Sequence, residues 1–578
     1  MKLQLDHYAR RLPNYIQSDQ FMKICKSTGM SILLVLLARR LKLFSPLLLT
    51  VNAPFIAIIE CVKSSRVATL RTSASDECIN EATFPDEDEF QRILHRIGAA
   101  GPRTTGNQAH NELIDWLERE LRAIPGLSIR TDEYDVLRWQ TADSASLKDA
   151  GTLRISGTEG HVVIPTAGAV PFSKPCSDQR GSLVYLPSTV PISEQNARGE
   201  IVLRDFPKRS IAYQMIFLQS LFKTTDLSTD MFRHYDRPGF ADGILKEELL
   251  DAGRAGAVGM VFMFDVERAA VESYFEPHQG VHFRLPAVYV GADEAMVLKK
   301  HAVRGDQASL TISAEVSAAK TRNLSATLAG QTKERVIYES HTDGNTYVQE
   351  NGPVALLALA QYYAKQPISS RKRTLEFAFN TGHLHISREG THRHAVQLDS
   401  TFDNGEVTLV VPVEHLGTRE IEARPRTSGK PGVALEYTGR GELMFWCVGP
   451  SSVVRDAIRK AVTRRRLDRV LVAPGVSMPD KNRVPTYSSF GGIGTYYHNQ
   501  LLPTTSLISG PWSLWAPNFG ADAIDMKRLR SQTLALGDIY LAIENVPRED
   551  IVDGYFAYRR RRAKGTNVAA SLIPYEVA

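Results

Sequence analysis

The stretch ERVIYESHTDG, residues 334–344, decides the fold of this chain. Its first half is a short apolar run, which predicts a buried strand that ends at His341. Asp343 follows two residues later, just past the strand. An imidazole in such a place can bind a metal through one ring nitrogen while a nearby carboxylate orients the ring. The stretch therefore predicts a strand with a polar site at its carboxyl end.

The chain beyond this stretch alternates between helix and strand. Residues 353–364 predict a helix, and residues 374–379 and 407–413 predict two further strands. In open α/β sheets, ligands bind beyond the carboxyl ends of the strands. The polar residues at these ends, or on the loops that follow them, are His341, Asp343, Glu350, His383, Glu414 and His415. We expect them to converge on one cleft.

Each of these residues has a simpler role when it is taken singly. A lone histidine is more often hydrogen-bonded in a core or at a surface than bound to a metal. Glu350 opens a predicted helix, where a carboxylate is favourable with the helix dipole alone. Four successive polar strand ends are harder to obtain by accident, so the pattern favours a functional cleft.

The regions before this stretch differ from each other in pattern. Residues 90–97 and 111–124 show helical spacing, and residues 127–134 alternate as a strand should. Residues 150–318 are instead rich in short strands and turns, such as GEIVLRDF at 199–206. A β-rich segment is therefore expected between two α/β segments.

Several segments resemble the co-catalytic zinc aminopeptidase and glutamate carboxypeptidase family, whose members often carry an inserted protease-associated (PA) domain. GPRTTGNQAHNELIDWLEREL (101–121) is similar to the opening helix of that family. TRNLSATLAGQTKERVIYESHTDG (321–344) resembles the strand pair that leads to its first metal ligand. GEIVLRDF, DAGRAGAVGMVFMF (251–264) and LPAVYVGADEAMVL (285–298) look like the PA insert. The resemblance covers roughly residues 88–545.

The resemblance implies an α/β fold, with a three-layer αβα zinc-exopeptidase-like domain around a mixed central sheet and an inserted β-rich PA domain. It divides the chain into an N-terminal extension (1–85), the α/β domain (86–149 and 319–548), the PA domain (150–318) and a basic C-terminal tail (549–578). A homodimer is also compatible with this family.

The family's site residues transfer only in part. His341 matches the first zinc ligand and Asp343 the carboxylate that supports it. Glu350 falls one residue out of register with the family's bridging Asp, and Glu414 stands where the family has an Asp ligand. His383 and Leu384 occupy the positions of the family's paired glutamates, a general base and a zinc ligand. The family's last histidine ligand has no counterpart in this sequence.

Two interpretations follow. In the first, His341, Glu350, His383 and Glu414 bind one or two zinc ions, or another divalent metal, and Asp343, Glu350 or His415 accepts a proton. The chain is then an aminopeptidase-like exopeptidase or amidohydrolase that cleaves peptide or peptide-like amide bonds. In the second, the site is inactive and the chain is a scaffold or receptor-type binding protein. The first is preferred, because most altered positions still hold a carboxylate or an imidazole.

Composition excludes several other classes of protein. The chain has 578 residues, of which 43% are hydrophobic and 23% charged, as in ordinary globular proteins. Its five cysteines lie far apart, which excludes a local thiolate zinc knuckle or a CxxC redox pair. The net charge of +5 comes partly from the runs 464–466 and 559–562, which we interpret as a helix face or a solvated tail. No nucleic-acid partner is expected.

The first 75 residues contain a segment with the pattern of a signal peptide or a membrane anchor. Residues 43–59 form an uncharged apolar run preceded by basic residues, as in a signal or a membrane anchor. The chain is therefore expected to be secreted or membrane-anchored, and Asn323 would then lie in a glycosylation sequon. An extra apolar hairpin or a wrongly assigned chain start explains the run equally well, and the protein would then be cytoplasmic.

Overall fold

The computed structural model describes residues 73–142, 146–157, 160–207, 209–238, 243–276, 282–385, 389–426, 429–475, 479 and 490–565. One compact unit spans Thr72–Phe556, and the other comprises Met1–Arg71 with Ala557–Ala578. The predicted anchor at 43–59 and the last part of the predicted basic tail, 566–578, lie outside the described residues. Within the described part of the chain, no helix combines the length and the apolar character that a membrane crossing requires.

The strands and helices are numbered along the chain. The strands are β1 (Leu127–Thr141), β2 (Gly151–Gly157), β3 (Gly160–Ile164), β4 (Gly168–Ala169), β5 (Cys176–Tyr185), β6 (Ile201–Asp205), β7 (Arg209–Ala212), β8 (Phe222–Lys223), β9 (His234–Arg237), β10 (Gly259–Met263), β11 (Ala287–Val290), β12 (Gln307–Ile312), β13 (Ala314–Leu328), β14 (Thr332–His341), β15 (Arg373–Asn380), β16 (Val407–Pro412), β17 (Arg419–Pro425), β18 (Val433–Gly441), β19 (Met444–Val448), β20 (Val470–Ala473) and β21 (Thr505–Ser509). The α-helices are α1 (Glu87–Gly98), α2 (Gln108–Arg122), α3 (Glu194–Ala197), α4 (Tyr213–Phe217), α5 (Ile244–Arg254), α6 (Ala292–Arg304), α7 (Gly352–Ala364), α8 (Gly390–Phe402), α9 (Ser452–Arg464), α10 (Gly494–Asn499), α11 (Met526–Ile543) and α12 (Arg548–Ala563). Short 3₁₀ helices lie at Glu81–Thr83, Lys148–Ala150, Thr225–Asp230, Arg268–Val271, Ile368–Ser370, Trp512–Leu514 and Pro517–Ala523.

The central sheet is mixed and has the strand order β1-β13-β15-β14-β16. β14 pairs in parallel with both β15 and β16, whereas β1, β13 and β15 pair antiparallel in sequence. His341 lies opposite Asn380 on β15, and Glu339 lies opposite Pro412 on β16. The carboxyl ends of three parallel strands therefore meet at one edge of this sheet.

The central sheet continues into the C-terminal part of the chain. Val410 and Val413 form parallel bridges to Thr504, just before β21, and to Leu507, in the middle of β21. β21 belongs to a second set of strands, in the order β21-β19-β20-β8. The bridges join the two sets into one continuous surface, so β21 also reaches the edge at which β16 ends.

Helices cover both faces of the central sheet. The Tyr338 hydroxyl donates a hydrogen bond to the carbonyl of Leu536 in α11, whereas the neighbouring Glu339 accepts one from Thr391 in α8. Successive side chains of a strand point to opposite faces, so α11 and α8 lie on opposite sides of β14. The expected three-layer αβα arrangement with a mixed sheet is confirmed.

Eight of the strands between residues 151 and 312 form a second sheet, in the order β3-β2-β12-β5-β6-β10-β11-β4, whereas β8 pairs with β20. Four neighbouring strands of this sheet pair in parallel, namely β5, β6, β10 and β11. Three of them, β6, β10 and β11, are almost wholly buried. Gly151 pairs with Ile312, so the chain enters and leaves this sheet at neighbouring points. The sheet lies inside the predicted insert, 150–318. Its assignment as a PA domain and the domain boundaries stay predictions.

His498 is a buried titratable group that forms no ion pair with any of the described residues. Its ring stacks on Phe490 at 3.9 Å between ring centroids, and its Nδ1 lies 2.7 Å from the hydroxyl of Tyr555. Burial lowers the pKa of His498 to about 3. In the unfolded chain, a histidine has a pKa of about 6.5. Between this pH and about pH 3, the imidazole of His498 is therefore neutral in the folded protein and mostly protonated in the unfolded chain.

This difference predicts acid sensitivity. Because the unfolded state binds more protons than the folded state between these two pKa values, the free energy of unfolding falls as the pH drops below about 6.5. In His498→Gln, the loss between pH 7 and pH 5 should be smaller by up to about 2 kcal/mol. Denaturant unfolding at the two pH values measures it. The exposed His161→Gln should keep the wild-type loss, and an unchanged loss in His498→Gln would contradict the assignment.

Candidate metal centre

Three parallel strands end at one edge of the central sheet, and a predicted site residue lies at or shortly after the end of each. His341 is the last residue of β14, His383 lies three residues after β15, and Glu414 lies two residues after β16. Gly382 has φ +83°, a conformation that glycine adopts readily, and it turns the chain just before His383. Strand register and this turn bring the three side chains together.

The three side chains form a compact, buried group. The Nε2 atom of His341 lies 3.3 Å from Oε1 of Glu414, and Nε2 of His383 lies 3.9 Å from the same oxygen. The ligand atoms of all three residues lie within 4.8 Å of one another. Zinc bonds of about 2.0 to 2.2 Å place tetrahedral ligands about 3.3 Å apart. The His341–Glu414 distance therefore matches that between two zinc ligands, and the longer separations in the group, up to 4.8 Å, would shorten on binding.

Hydrogen bonds aim two of these ligand atoms at each other. The Nδ1–H of His341 donates to the carbonyl oxygen of Asp343 at 2.7 Å, and Oε2 of Glu414 accepts from the amide of Ile493 at 2.8 Å. Within the described residues, His341 Nε2 and Glu414 Oε1 face each other at an ion-pair distance and make no regular hydrogen bond to any other group. Buried polar atoms are normally hydrogen-bonded, so two such atoms facing one point fit the ligands of a cation. With His383, they make an N/N/O donor set that suits zinc.

The charges of the group are balanced internally. Burial acts to raise the pKa of Glu414, but contact with His341 and the other nearby imidazoles lowers it to about 2. Burial acts to lower the pKa of His341, but Asp343 and Glu414 raise it to about 10. Burial and the charge of His341 together lower the pKa of His383 to about 3. The group thus contains the carboxylate of Glu414, the neutral imidazole of His383 and the positively charged imidazole of His341. The charge on His341 balances that of Glu414, as the charge of a bound metal ion would.

Asp343, predicted as a catalytic residue, lies directly behind His341. Its Oδ2 accepts hydrogen bonds from the hydroxyl of Thr105 and from the amide of Leu384 at 2.8 Å. Burial acts to raise the pKa of Asp343, but contact with His341 and neighbouring imidazoles holds it well below its usual range. This carboxylate is therefore ionised, fixed in place and suited to orienting the His341 ring.

His415, the second residue predicted as catalytic, lies beside the group. Its Nδ1–H donates to the carbonyl of Ser509 at 2.6 Å, and its Nε2 lies 3.8 Å from Oε1 of Glu414. Burial lowers the pKa of His415 to about 4, so the ring is neutral and Nε2 carries a lone pair. The residue has φ +56°, an uncommon conformation for a side-chain-bearing residue. Its backbone thus holds a proton acceptor next to the metal-ligand candidates.

Glu350, predicted as a metal ligand, is buried but is not part of this group. Its carboxylate forms an ion pair with Arg103, and both side chains are almost completely inaccessible. The backbone of Gly344 lies against the carboxylate so closely that a Cβ atom there would overlap it. Asn351, the next residue, instead holds the loop after Glu414, since its side chain bonds both the carbonyl and the amide of Leu416.

The remaining histidines near the site have other partners. His385 bonds the carbonyl of Leu137 at 2.7 Å, and His394 bonds the Tyr497 hydroxyl at 2.8 Å. His498 bonds Tyr555. In the described ranges, the only group of three or more possible ligand residues is His341, His383 and Glu414.

Several residues of the site were not predicted. Thr105 and Arg103 lie in the GPRTTG segment, whose family resemblance was a usable signal for a place near the site. Glu339 is a buried carboxylate beneath the group, and burial together with Glu414 raises its pKa to about 8. The amide of Ile493 carries no sequence signal, because any residue except proline offers the same N–H.

Comparisons with known proteins agree with this geometry at the level of the fold. No protein-family model matches the sequence, and no curated protein matches it. Among solved structures, the zinc aminopeptidase BSAP from Bacillus subtilis is 14% identical with a TM-score of 0.54, over 81% of this chain and 98% of that one.

Two further solved structures are similar. An aminopeptidase from Aneurinibacillus sp. strain AM-1 is 15% identical with a TM-score of 0.50, over 79% of this chain and 94% of its own. A Peptidase M28 precursor from Shewanella amazonensis is 13% identical with a TM-score of 0.52, over 85% and 97% respectively. The chain therefore has the zinc-exopeptidase-like fold of these aminopeptidases.

Proposed function

We propose that this protein is a metal-dependent exopeptidase or amidohydrolase that holds one divalent cation, best matched by zinc, on His341, His383 and Glu414. The observation that carries the proposal is that three buried ligand atoms from three parallel strand ends lie within 4.8 Å of one another. The likeness to zinc aminopeptidases supports the class of reaction. Peptides or peptide-like amides are the proposed substrates.

A single metal is favoured over two. A second cation in the family's usual arrangement would need a bridging carboxylate, and Glu350, the nearest candidate by sequence, is neutralised by Arg103. Breaking a buried ion pair to free Glu350 would leave an uncompensated buried charge, at a cost of about 3 to 5 kcal/mol. The Arg103–Glu350 ion pair therefore favours a site that holds one metal ion.

The protein's own residues divide the work of hydrolysis. A bound divalent cation would polarise the scissile carbonyl. Asp343 fixes the orientation of His341 through the turn in which both lie. His415, neutral and with a lone pair on Nε2, takes the proton of the attacking water, and its hydrogen bond to Ser509 sets the tautomer that this role needs.

A non-catalytic binding protein is the second candidate. Two observations favour it. In the family that the sequence resembles, the positions of Glu350 and Leu384 carry ligand or catalytic carboxylates, whereas here Glu350 is held by Arg103 and Leu384 has no carboxylate. In that case the buried His341 and Glu414 form a structural ion pair. The two candidates differ in whether zinc binds.

Metal content tests this difference directly. The purified protein, dialysed after zinc is offered at neutral pH, should carry about one zinc per chain, because structural and catalytic zinc sites of this donor type bind tightly. His341→Ala and Glu414→Ala should each lose it, and His498→Gln should keep it. Plasma emission gives the stoichiometry. A metal-free wild type would leave the binding protein as the better account.

Gly492 offers a subtler variant of the same test. It has φ +62°, and a Cβ atom there would overlap Oε2 of Glu414. Gly492→Ala should therefore displace the carboxylate and weaken zinc binding by about 10- to 100-fold, as loss of a supporting contact usually does. Gly305→Ala is the matched control, because Gly305 has a similar φ of +69° with open space around it. Zinc affinities come from competition with a chromogenic chelator, and equal weakening in both variants would point to backbone strain instead.

Hydrolysis is tested with one peptide in three forms: both ends free, the amino end acetylated, or the carboxyl end amidated. An aminopeptidase should cleave the first and third, and a carboxypeptidase the first and second. His341→Ala should lower kcat/KM by about a thousandfold or more, since Lewis-acid catalysis is worth several kcal/mol. Chromatography of the products gives rates and end specificity. A zinc-loaded wild type that cleaves none of the three would refute the exopeptidase assignment.

A further inference from the structure

A cavity of about 620 Å³ lies apart from the three metal-ligand candidates. Its walls come from the 3₁₀ helix Thr225–Asp230, the β17–β18 hairpin, the segment between α9 and β20, and the first turns of α11. Small-molecule sites in proteins usually measure about 300 to 1,000 Å³. The cavity therefore has room for a compact ligand.

Cations outnumber aspartates in the lining of the cavity. Seven of its sixteen residues are arginine or lysine, and three are aspartate. Four of the cations already have acidic partners: Arg440 and Arg469 pair with Asp230 and Glu420, Arg465 with Asp538, and Arg528 with Asp468.

Three cations of the lining remain without such partners. Arg419, Arg466 and Lys527 form no ion pair within the described residues, and all three are exposed. Like charges that share the wall of one cavity repel each other and raise the local concentration of anions. Two aspartates of the lining, Asp226 and Asp525, also form no ion pair within the described residues, so the cations without an ion pair outnumber such aspartates by one. The cavity therefore has the space and a small excess of positive charge to accept an anion.

The end of helix α9 fixes the position of Arg466. Helix α9 ends in a Schellman motif, in which the amide of Leu467 bonds the carbonyl of Val462 and the amide of Arg466 bonds that of Thr463. The left-handed position of this motif is usually glycine, yet here Arg466 occupies it with φ +51°. A left-handed arginine costs about 1 kcal/mol or more.

Arg469, three residues later, also has φ +51° and lines the same cavity. Its guanidinium bonds Glu420 at 2.8 Å and pairs with Asp230, so a local role explains its strain. No such partner explains Arg466. The helix dipole favours cations in the last turn, but Arg464 already provides one there. The left-handed conformation of Arg466 ends α9 and places this residue in the wall of the cavity.

We propose that this cavity binds a small, multiply charged oxyanion, either a phosphate compound or a polycarboxylate, through Arg419, Arg466 and Lys527. Guanidinium groups bind both kinds of anion through paired N–H donors, and the lysine adds a point charge. Arg419 follows Glu414 by five residues on the same connection, so an anion here lies on the chain segment that leaves the metal-ligand group. Binding itself requires neither a metal nor catalysis.

Isothermal titration of the full chain with pyrophosphate, and separately with citrate, tests the proposal at fixed ionic strength. We expect one site per chain for at least one of the two anions. Arg466→Gln/Lys527→Gln should weaken that binding by about tenfold or more, because each lost charged contact is worth about a factor of ten. The matched control is Arg119→Gln/Lys300→Gln, which removes the same charges from exposed positions outside the cavity and should bind as the wild type does.

The two anions separate the sources of the ligand. Tighter pyrophosphate binding that is lost only in the cavity variant supports a phosphate compound, and tighter citrate binding with the same dependence supports a polycarboxylate. Absence of saturable binding for both anions overturns the proposal. Equal weakening in the cavity variant and in the control also overturns it, since the effect would then come from net charge alone.

Discussion

A charged carboxylate in a protein interior must be matched by donors or cations, and Glu414 places this demand at the centre of the structure. One of its oxygens is satisfied by the amide of Ile493, and the other faces His341. The amide can approach only because Gly492 has no side chain. The positions of residues 490–493 before α10, the turn after β16 and the end of β14 thus depend on a single buried charge.

The sheet makes this arrangement reproducible. Parallel pairing of β14 with β15 and β16 fixes which residues emerge side by side, and a slip of one residue would turn His341 to the opposite face. The side chains just beneath the edge are buried as well, including Glu339, whose carboxylate is bonded by Asn380 at 2.9 Å. A rigid platform of this kind holds ligands to the tolerance that a metal requires.

Much of the fold could be predicted from local patterns, because buried strands and helices have distinct periods. The strand that ends at His341, the helix after Glu350 and the strands near residues 374 and 407 all follow from apolar spacing. The partner of Glu350 could not be predicted in the same way. Arg103 is 247 positions away along the chain, and no periodicity links a charge to a partner at that distance. His383 and Glu414 were predictable as strand-end residues, whereas their 3.9 Å separation depends on the glycine turn and on the β16 register.

The insert between β1 and β13 has a consequence for how the chain folds. β1 and β13 pair along their whole length, although Thr141 and its partner Ala314 are 173 positions apart. Closing so long a loop carries an entropic cost that slows the formation of non-local pairs. The eight-stranded sheet of the insert removes much of it, because Gly151 and Ile312 pair with each other ten residues after Thr141 and two residues before Ala314. Once the insert is folded, β1 and β13 are effectively joined by a tight connection, and the edge of the central sheet can close like a hairpin.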